Sequence, residues 1–316
     1  MRWRRRAGRM VMVTAGLLGL AACTGAGDRA VDDTPPTAEV HRAEVEAWRV
    51  RHETSYRAEY VTIAGLLPLR AGANTAGSAP GSDLVLPAAV PATLGRFDLT
   101  DDRVRFTPAP GVDVRLGDQP VTGPVDLRDD ATEAPDELTV GDVSLVAHVS
   151  GTARMLRVRD PHGPWATGFR GFSWFPIDMQ YRVVGHFTPD DEPQRVKIPN
   201  TFGDLDEFRT EGVVEFTLLG ETVRLRPFTT RPNRLWFVFR DASSGAETYE
   251  AARFLYADLQ PDGRVVLDFN MAYNPPCAFN PYTTCPIPMR ENRLSSARIL
   301  AGERAYPVKV EVRYLE

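Results

Sequence analysis

The sequence lacks the local motifs by which several large enzyme classes are identified. It contains no Gly-x-Ser-x-Gly nucleophile elbow, no phosphate-binding loop and no dinucleotide-binding glycine pattern. We therefore expect no cofactor. An acid/base site made from paired carboxylates needs no local motif, so any chemistry must come from side chains that the fold brings together.

Cysteine and histidine are scarce, with three cysteines and five histidines in 316 residues. Cys277 and Cys285 do not form a Cys-x-x-Cys pair, and two further ligands for zinc are missing nearby. The histidines show no metal-binding spacing; they are His41, His52, His148, His162 and His186. We therefore predict no metal site.

Basic runs are missing from the chain beyond its N-terminal segment. The formal net charge is −5, so the sequence predicts no nucleic-acid partner. A hydrophobic content of 43% and a charged content of 25% are ordinary globular values. The length allows one large or two modest domains. No later segment approaches the length of a transmembrane helix.

The first 23 residues contain the most specific signal in the sequence. Several arginines precede a short apolar run at residues 11–20, which is typical of an export signal. Leu20-Ala-Ala-Cys23 then resembles the lipobox of bacterial lipoproteins. The resemblance implies a signal peptide at residues 1–22, lipidation of Cys23, and a lipid-anchored, extracytoplasmic location at the cell membrane. The alternative is an ordinary signal peptide with an incidental cysteine.

The segment after Cys23 is predicted to hold a tether and one helix. Residues 23–38 are small, polar and proline-containing, as in a flexible linker. In residues 39–58, apolar residues recur near one face and opposite charges lie four residues apart, which predicts a helix. We interpret His41 and His52, within this helix, as solvated or packing residues rather than ligands.

The rest of the chain, residues 59–160 and 161–316, has strand character. Short apolar runs are separated by Gly, Pro, Asp and Asn at intervals typical of a sandwich or barrel. The second region contains two predicted hairpins, which turn at Gly220-Glu221 and at Asp262-Gly263. The sequence therefore predicts a mainly β fold with two β-rich, sandwich- or barrel-like regions and one N-terminal α-helix.

The opening of the first β region resembles that of forkhead-associated domains. The resemblance is carried by Gly72-Ala-Asn-Thr-Ala-Gly-Ser78 and by Asp83-Leu-Val-Leu-Pro87. It implies a β-sandwich architecture. Those domains bind phosphothreonine through an arginine and a serine, but Ser78 stands where the arginine is expected and no Ser-x-x-His follows. The resemblance therefore carries no phosphopeptide site over to this chain.

A second resemblance covers roughly the whole chain after the tether. The segments that carry it are Phe175-Pro-Ile-Asp178, Arg240-Asp-Ala-Ser-Ser-Gly245, Arg253-Phe-Leu-Tyr-Ala-Asp258, Leu267-Asp-Phe-Asn270, Ala272-Tyr-Asn-Pro-Pro-Cys277 and Glu291-Asn-Arg293. Together they resemble the bacterial and archaeal family catalogued as domain of unknown function 1684. The resemblance implies no established activity, so the function must be inferred from the side chains.

Eight polar residues in the C-terminal β region are candidates for binding a ligand. They are Arg240, Asp241, Glu247, Tyr249, Arg253, Asp268, Asn270 and Asn274. If residues 247–253 are extended, Glu247, Tyr249 and Arg253 point to one face, and Asp268 shares a face with Asn270 on a later strand. The predicted hairpin at residues 262–263 would bring the two faces together. The result would be one polar pocket with apolar walls, as in small-molecule sites.

Three functions are compatible with this set of residues. The first is binding of a small polar ligand or a cell-envelope component by the C-terminal β region. The second is a hydrolase-type enzyme that uses Glu247 or Asp268, with Arg240 or Arg253 positioning an anionic group. The third is a structural network of arginine–carboxylate pairs without a ligand, in which Asp241 does no more than hold a turn. The oligomeric state is left open.

Cys277 and Cys285 are predicted to form a disulfide. Lipidation of Cys23 leaves these two cysteines as a pair, and an exported domain meets oxidising conditions. The competing interpretation is a reduced pair, either buried or holding a metal together with Asp or Asn.

Overall fold

A computed structural model describes residues 35–201 and 203–308. The predicted signal peptide, Cys23 and most of the predicted tether lie outside these residues. In the described part, no helix combines the length and the apolar character that crossing a membrane requires.

The N-terminal helix, α1 (Ala38–Tyr56), begins where Thr37 caps it. The Thr37 hydroxyl accepts a hydrogen bond from the Val40 N–H at 3.3 Å, which satisfies one of the free donors of the first turn. A π-helical turn, Arg57–Val61, continues the helix. His41 and Val45 are the buried residues of α1, so one side of the helix faces the protein.

The N-terminal β region consists of eleven strands in two sheets. The strands are β1 (Ile63–Pro68), β2 (Gly72–Gly77), β3 (Leu84–Val85), β4 (Gly95–Thr100), β5 (Arg103–Pro108), β6 (Arg115–Leu116), β7 (Gln119–Pro120), β8 (Val125–Leu127), β9 (Glu137–Val140), β10 (Val143–Ser150) and β11 (Ala153–Arg159). One sheet has the order β1-β11-β10-β9-β6-β7, and the other has the order β3-β2-β4-β5-β8.

The two sheets of this region share one core. Phe97 on β4 and Phe106 on β5 are cross-strand partners whose ring centroids lie 4.8 Å apart. They belong to the same buried cluster as Leu138 and Leu145, which come from the other sheet. Apolar residues of the two inner faces therefore meet as in a β-sandwich.

The C-terminal β region begins with a short helix that the sequence did not predict, α2 (Pro164–Gly168). Its strands are β12 (Arg182–Pro199), β13 (Leu205–Leu218), β14 (Glu221–Leu225), β15 (Phe228–Arg231), β16 (Arg234–Asp241), β17 (Arg253–Asp258), β18 (Arg264–Asp268) and β19 (Arg293–Leu294). One sheet has the order β14-β13-β12-β18. The other has the order β15-β16-β17, with β19 on β16.

These two sheets also enclose a common core. Phe216 and Leu267 of the first sheet belong to the same buried cluster as Phe237 and Leu255 of the second. The prediction of a mainly β fold with an N-terminal helix is confirmed. Each of the four sheets takes all its strands from one side of residue 160.

One of the two predicted hairpins forms as expected and the other forms only at its turn. Strands β13 and β14 pair around residues 219–220. Strand β17 pairs with β16 and β18 pairs with β12, so these two run into different sheets. A single bridge between Leu259 and Val265 joins them near the turn. Strand β17 has a longer partner in β16, and β18 has a longer partner in β12. The residues that the hairpin was expected to bring together therefore lie in different sheets.

Candidate functional site

A fully buried ion pair joins the end of β16 to the start of β17. The Arg253 guanidinium donates to Asp241 Oδ2 at 2.7 Å, and neither side chain has any exposed surface. It also donates to the carbonyl oxygens of Ile299 and Ala301. These hydrogen bonds from Arg253 hold the segment after residue 297 against the sheet.

The second oxygen of Asp241 is also occupied. Asp241 Oδ1 accepts hydrogen bonds from the N–H of Ser243 at 2.8 Å and from that of Ile299 at 3.2 Å. The carboxylate therefore holds the turn that follows β16, as one interpretation of the sequence had it. This fully buried and fully paired arrangement favours the interpretation of Asp241 and Arg253 as a structural network.

The expectation of one shared face for Glu247, Tyr249 and Arg253 is wrong, because residues 247–252 do not form a strand. The Ser243 carbonyl accepts hydrogen bonds from the N–H groups of Ala246, Glu247 and Thr248, which coils the chain into a turn. The alternation of side chains in an extended strand does not apply to such a segment.

The residues of this turn have separate partners. Glu247 pairs with Arg298, whose side chain is 57% exposed. The Tyr249 hydroxyl donates to the Cys277 carbonyl oxygen at 3.4 Å. Arg240 is half-buried on β16, where it is the backbone partner of Arg293 on β19.

Cys277 and Cys285 are buried and stand side by side as free thiols. The Cys277 N–H donates to Cys285 Sγ at 3.4 Å. Burial raises the pKa of the Cys285 thiol well above its ordinary value, so the group is protonated. The disulfide between them stays a prediction. Within residues 35–201 and 203–308, no three His, Cys, Asp or Glu side chains gather as a metal ion would need.

Asn274 binds a buried carboxyl group that the sequence did not single out. Its backbone N–H and its Nδ2 donate to Glu303 at 2.8 and 2.9 Å. Burial raises the pKa of Glu303 to about 8, and this exceeds the opposite effect of the two hydrogen bonds. Gly302 precedes it at φ +77°, where a Cβ would lie 2.2 Å from the Ala272 oxygen, so this approach requires glycine.

Asp268 and Asn270 lie together, and they hold α1 onto the C-terminal region. Asp268 Oδ2 lies 2.6 Å from Nε2 of His41, which is 1% exposed. Asp268 Oδ1 accepts hydrogen bonds from the N–H and the Nδ2 of Asn270. Asn270 also exchanges two hydrogen bonds with the backbone of Asp178. Sequence reasoning missed the role of His41, because the pairing spans 227 residues and leaves no local signal.

A cleft of about 520 Å³ opens beside this contact, between α1 and the strands β12, β16, β17 and β18. We call it the helix–sheet cleft. Trp48 and His52 of α1 line it, as do Tyr256 of β17 and Asp268 of β18. Its volume lies within the usual range for small-molecule sites, roughly 300–1,000 Å³. Of the eight candidate residues, Asp268 is the one that lines it.

The walls of the helix–sheet cleft contain aromatic rings that stack on one another. Trp48 and His52 stack with ring centroids 4.7 Å apart and planes at 15°, and Tyr256 stacks on Trp236 with planes at 13°. Burial lowers the pKa of His52 to about 4, so its imidazole is neutral at pH 7. The guanidinium of Arg234 lies 5.0 Å over the Tyr256 ring. Such walls can accept the face of a ring.

The eight candidate residues thus fall into separate groups rather than the single expected pocket. Asp241 pairs with Arg253, Asp268 with Asn270, and Asn274 with Glu303, while the other three have partners outside these groups. Their role in ligand binding stays a prediction.

Residues 167–304 match the model of a family described as "Protein of unknown function (DUF1684)", and this supports the resemblance found in the sequence. No curated protein matches the chain. Among solved structures, the chain is similar to an uncharacterised protein of Haloarcula marismortui at 29% identity. This match covers 46% of this chain and 82% of that one, with a TM-score of 0.38.

Two further solved structures are similar to parts of the chain. One is described as a study of phosphothreonine-dependent FHA domain interactions; it is 17% identical, covers 29% of this chain and 80% of that one, and has a TM-score of 0.21. The other is Mycobacterium tuberculosis EmbR in complex with a low-affinity phosphopeptide. It is also 17% identical, covers 41% of this chain and 34% of that one, and has a TM-score of 0.21.

Proposed function

We propose that the protein binds a small polar ligand in the helix–sheet cleft and performs no chemistry on it. The observation that carries this proposal is the make-up of the cleft, in which Asp268 and other charged groups stand between aromatic walls. A mainly apolar concave surface with a few polar groups is the usual build of a small-molecule site.

The contacts of the two candidate carboxylates favour binding over acid/base catalysis. Glu247 pairs with Arg298 outside the cleft. Both oxygens of Asp268 are engaged, one by His41 and the other by Asn270. An acid/base pair needs both groups within reach of one substrate, and Glu247 lies outside the cleft that Asp268 lines. Glu247 and Asp268 are therefore unsuited to act together as an acid/base pair.

We further propose that the folded part is attached to the outer face of the cell membrane through lipid on Cys23. The arginine-rich start, the apolar run at residues 11–20 and the sequence Leu20-Ala-Ala-Cys23 support this proposal. A single chain of lipid gives marginal membrane binding, so the anchor requires the multiple acyl chains that a lipidated N-terminal cysteine carries.

A thermal-unfolding screen against a library of small polar metabolites tests the proposed binding. A specific ligand raises the free energy of unfolding by about 2.7 kcal/mol at about 100 times its Kd, because it binds the folded state alone. Tyr256→Ala should abolish this stabilisation by removing one wall of the cleft. Leu205→Ala, an exposed residue of β13 outside the cleft, should retain it. Stabilisation that survives Tyr256→Ala, or a screen without any stabilising compound, would contradict the proposal.

A further inference from the structure

We propose that the ligand of the helix–sheet cleft carries a carboxylate, and that the guanidinium of Arg182 binds it. This inference rests on the proposed function and narrows it to one chemical class, ring-bearing monocarboxylates. Among the cations that line the cleft, Arg182 alone lacks a partner in the described part of the chain.

The fold fixes the backbone from which Arg182 lines the cleft. It is the first residue of β12 and the cross-strand partner of Asp268 on β18, so both side chains stand on one face of the sheet. The turn before it, Met179–Tyr181, is capped by Asp178, whose Oδ1 accepts from the Gln180 N–H at 2.9 Å. Asn270 binds the backbone of Asp178 from the other side. The backbone that presents Arg182 is therefore fixed.

Arg234, Arg49 and Asp268, which lie in or next to the cleft, are already paired. Arg234 donates to Asp258 at 2.9 Å. Arg49, next to the cleft, donates to the carbonyl oxygens of Phe175 and Asn270, each at 3.2 Å. Asp268 is taken up by His41 and Asn270, which explains why it does not pair with its neighbour Arg182.

Arg182 is half-buried, and within residues 35–201 and 203–308 no carboxylate or carbonyl oxygen accepts a hydrogen bond from its guanidinium. A partly desolvated charge without a partner costs free energy that a bound anion would recover. The planar fork of an arginine matches the two oxygens of a carboxylate. A half-buried arginine without a partner is therefore suited to bind an anionic group of the ligand.

The surrounding charges favour a singly charged anion over a phosphate. A phosphate monoester carries close to two negative charges at neutral pH and needs a second cation. Here the acids Glu44 and Asp258 line the same cleft, and His52 is neutral because burial lowers its pKa to about 4. With Asp268 the lining has three acids against the two arginines Arg182 and Arg234, so it disfavours a second negative charge on the ligand.

Two matched pairs of probes test the inference on the full folded protein. The first pair is indole-3-acetate and indole-3-acetamide, and the second is glucuronate and glucose. Binding is followed by ligand-observed NMR titration at millimolar concentration. We expect the acid of at least one pair to bind about tenfold or more tightly than its neutral partner, since a charge-assisted hydrogen bond is lost in the neutral compound.

Substitutions at Arg182 show whether this preference comes from its side chain. Arg182→Gln should abolish the preference for the acid while weak ring binding remains, and Arg182→Lys should keep part of it. Arg195→Gln is the control, because Arg195 lies on the same strand but is exposed and pairs with Glu207. An unfolding curve like that of the wild type confirms that each variant is folded.

Three results would overturn the inference. They are equal affinity for acid and neutral probe, a preference that persists in Arg182→Gln, and no binding of any of the four probes. The proposed function fails by a different result, the absence of any cleft ligand from the metabolite screen. A neutral metabolite whose binding depends on Tyr256 but not on Arg182 would preserve the proposed function and refute this inference alone.

Discussion

At the scale of single residues, the partners of Asp241 and Glu247 predict very different effects of mutation on stability. Asp241→Asn leaves Arg253 buried without its counter-charge, so we expect a loss of about 3–5 kcal/mol in the free energy of unfolding. Glu247→Gln removes a contact with the exposed Arg298 and should cost about 1 kcal/mol or less. Urea denaturation of both variants measures the difference. Equal losses in the two variants would show that the Arg253–Asp241 pair is not the buried network described above.

Glu303 predicts a pH dependence of stability. Burial raises its pKa in the folded protein to about 8, whereas the unfolded chain has the ordinary value of 4.5. Between these values the folded state binds one more proton than the unfolded state, so stability falls as the pH rises. Below 4.5 the contribution of Glu303 is fully present, and above about 8 it is lost.

Glu303→Gln provides the test, because a neutral side chain cannot titrate. The free energies of unfolding of the wild type and the variant are measured from about pH 5 to about pH 8, which is the interval between the two pKa values. The two curves should diverge over this interval. The wild type should lose stability relative to the variant as the pH rises. Parallel curves would mean that Glu303 is ionised in the folded state throughout this range.

The two buried cysteines give a third prediction for single residues. We expect Cys277 and Cys285 to be joined in protein purified from an oxidising compartment. Their Sγ and backbone atoms are already in contact, and the enclosed segment is short, so the bridge should add on the order of 2–3 kcal/mol at most. Alkylation in denaturant followed by intact-mass measurement decides between the two states. Two alkylated thiols in protein that has never been reduced would exclude the bridge.

For the secondary-structure elements, one buried polar contact near the first turn of α1 contributes to its docking. His41→Ala removes the partner of Asp268 and leaves that carboxylate with one unsatisfied buried oxygen, at a cost of roughly 1–3 kcal/mol. The effect should be local, with faster amide hydrogen exchange across α1 and little change in β4 or β5. Arg42→Gln, an exposed neighbour on the same helix, is the control. Unchanged exchange in His41→Ala would show that packing of Trp48 and Tyr56 is sufficient.

The strands were easier to predict than the site, for a physical reason. Apolar alternation and turn residues are local, so the β13–β14 hairpin and the start of α1 follow from the sequence. Strand pairing is not local: β18 pairs with β12 rather than with its neighbour β17. The expected pocket depended on that pairing. It also depended on extended structure at residues 247–252, where the Ser243 carbonyl instead gathers three N–H groups into a turn.

In the whole molecule, the helix–sheet cleft needs parts that are far apart in the chain. Trp48 comes from the first helix, whereas Tyr256 and Asp268 come from the C-terminal β region. Only Asp268 was recognisable from the sequence, because it stands in a strand among apolar residues. His41 and Arg182 were not, since their importance depends on which group faces them across the fold. The buried Glu303 was missed for the same reason.

The proposed attachment of the protein to a membrane depends on Cys23, which lies outside the described residues. If Leu20-Ala-Ala-Cys23 directs lipidation, Cys23→Ser should yield an unacylated precursor that keeps residues 1–22. Metabolic labelling with a fatty acid, combined with membrane fractionation, measures both effects. Cys277→Ser is the matched control, because Cys277 is buried in the fold and should leave labelling unchanged. Lipid label that remains on Cys23→Ser would refute the anchor. A wild-type protein that is cleaved normally but carries no lipid label would indicate an ordinary signal peptide and a freely exported protein.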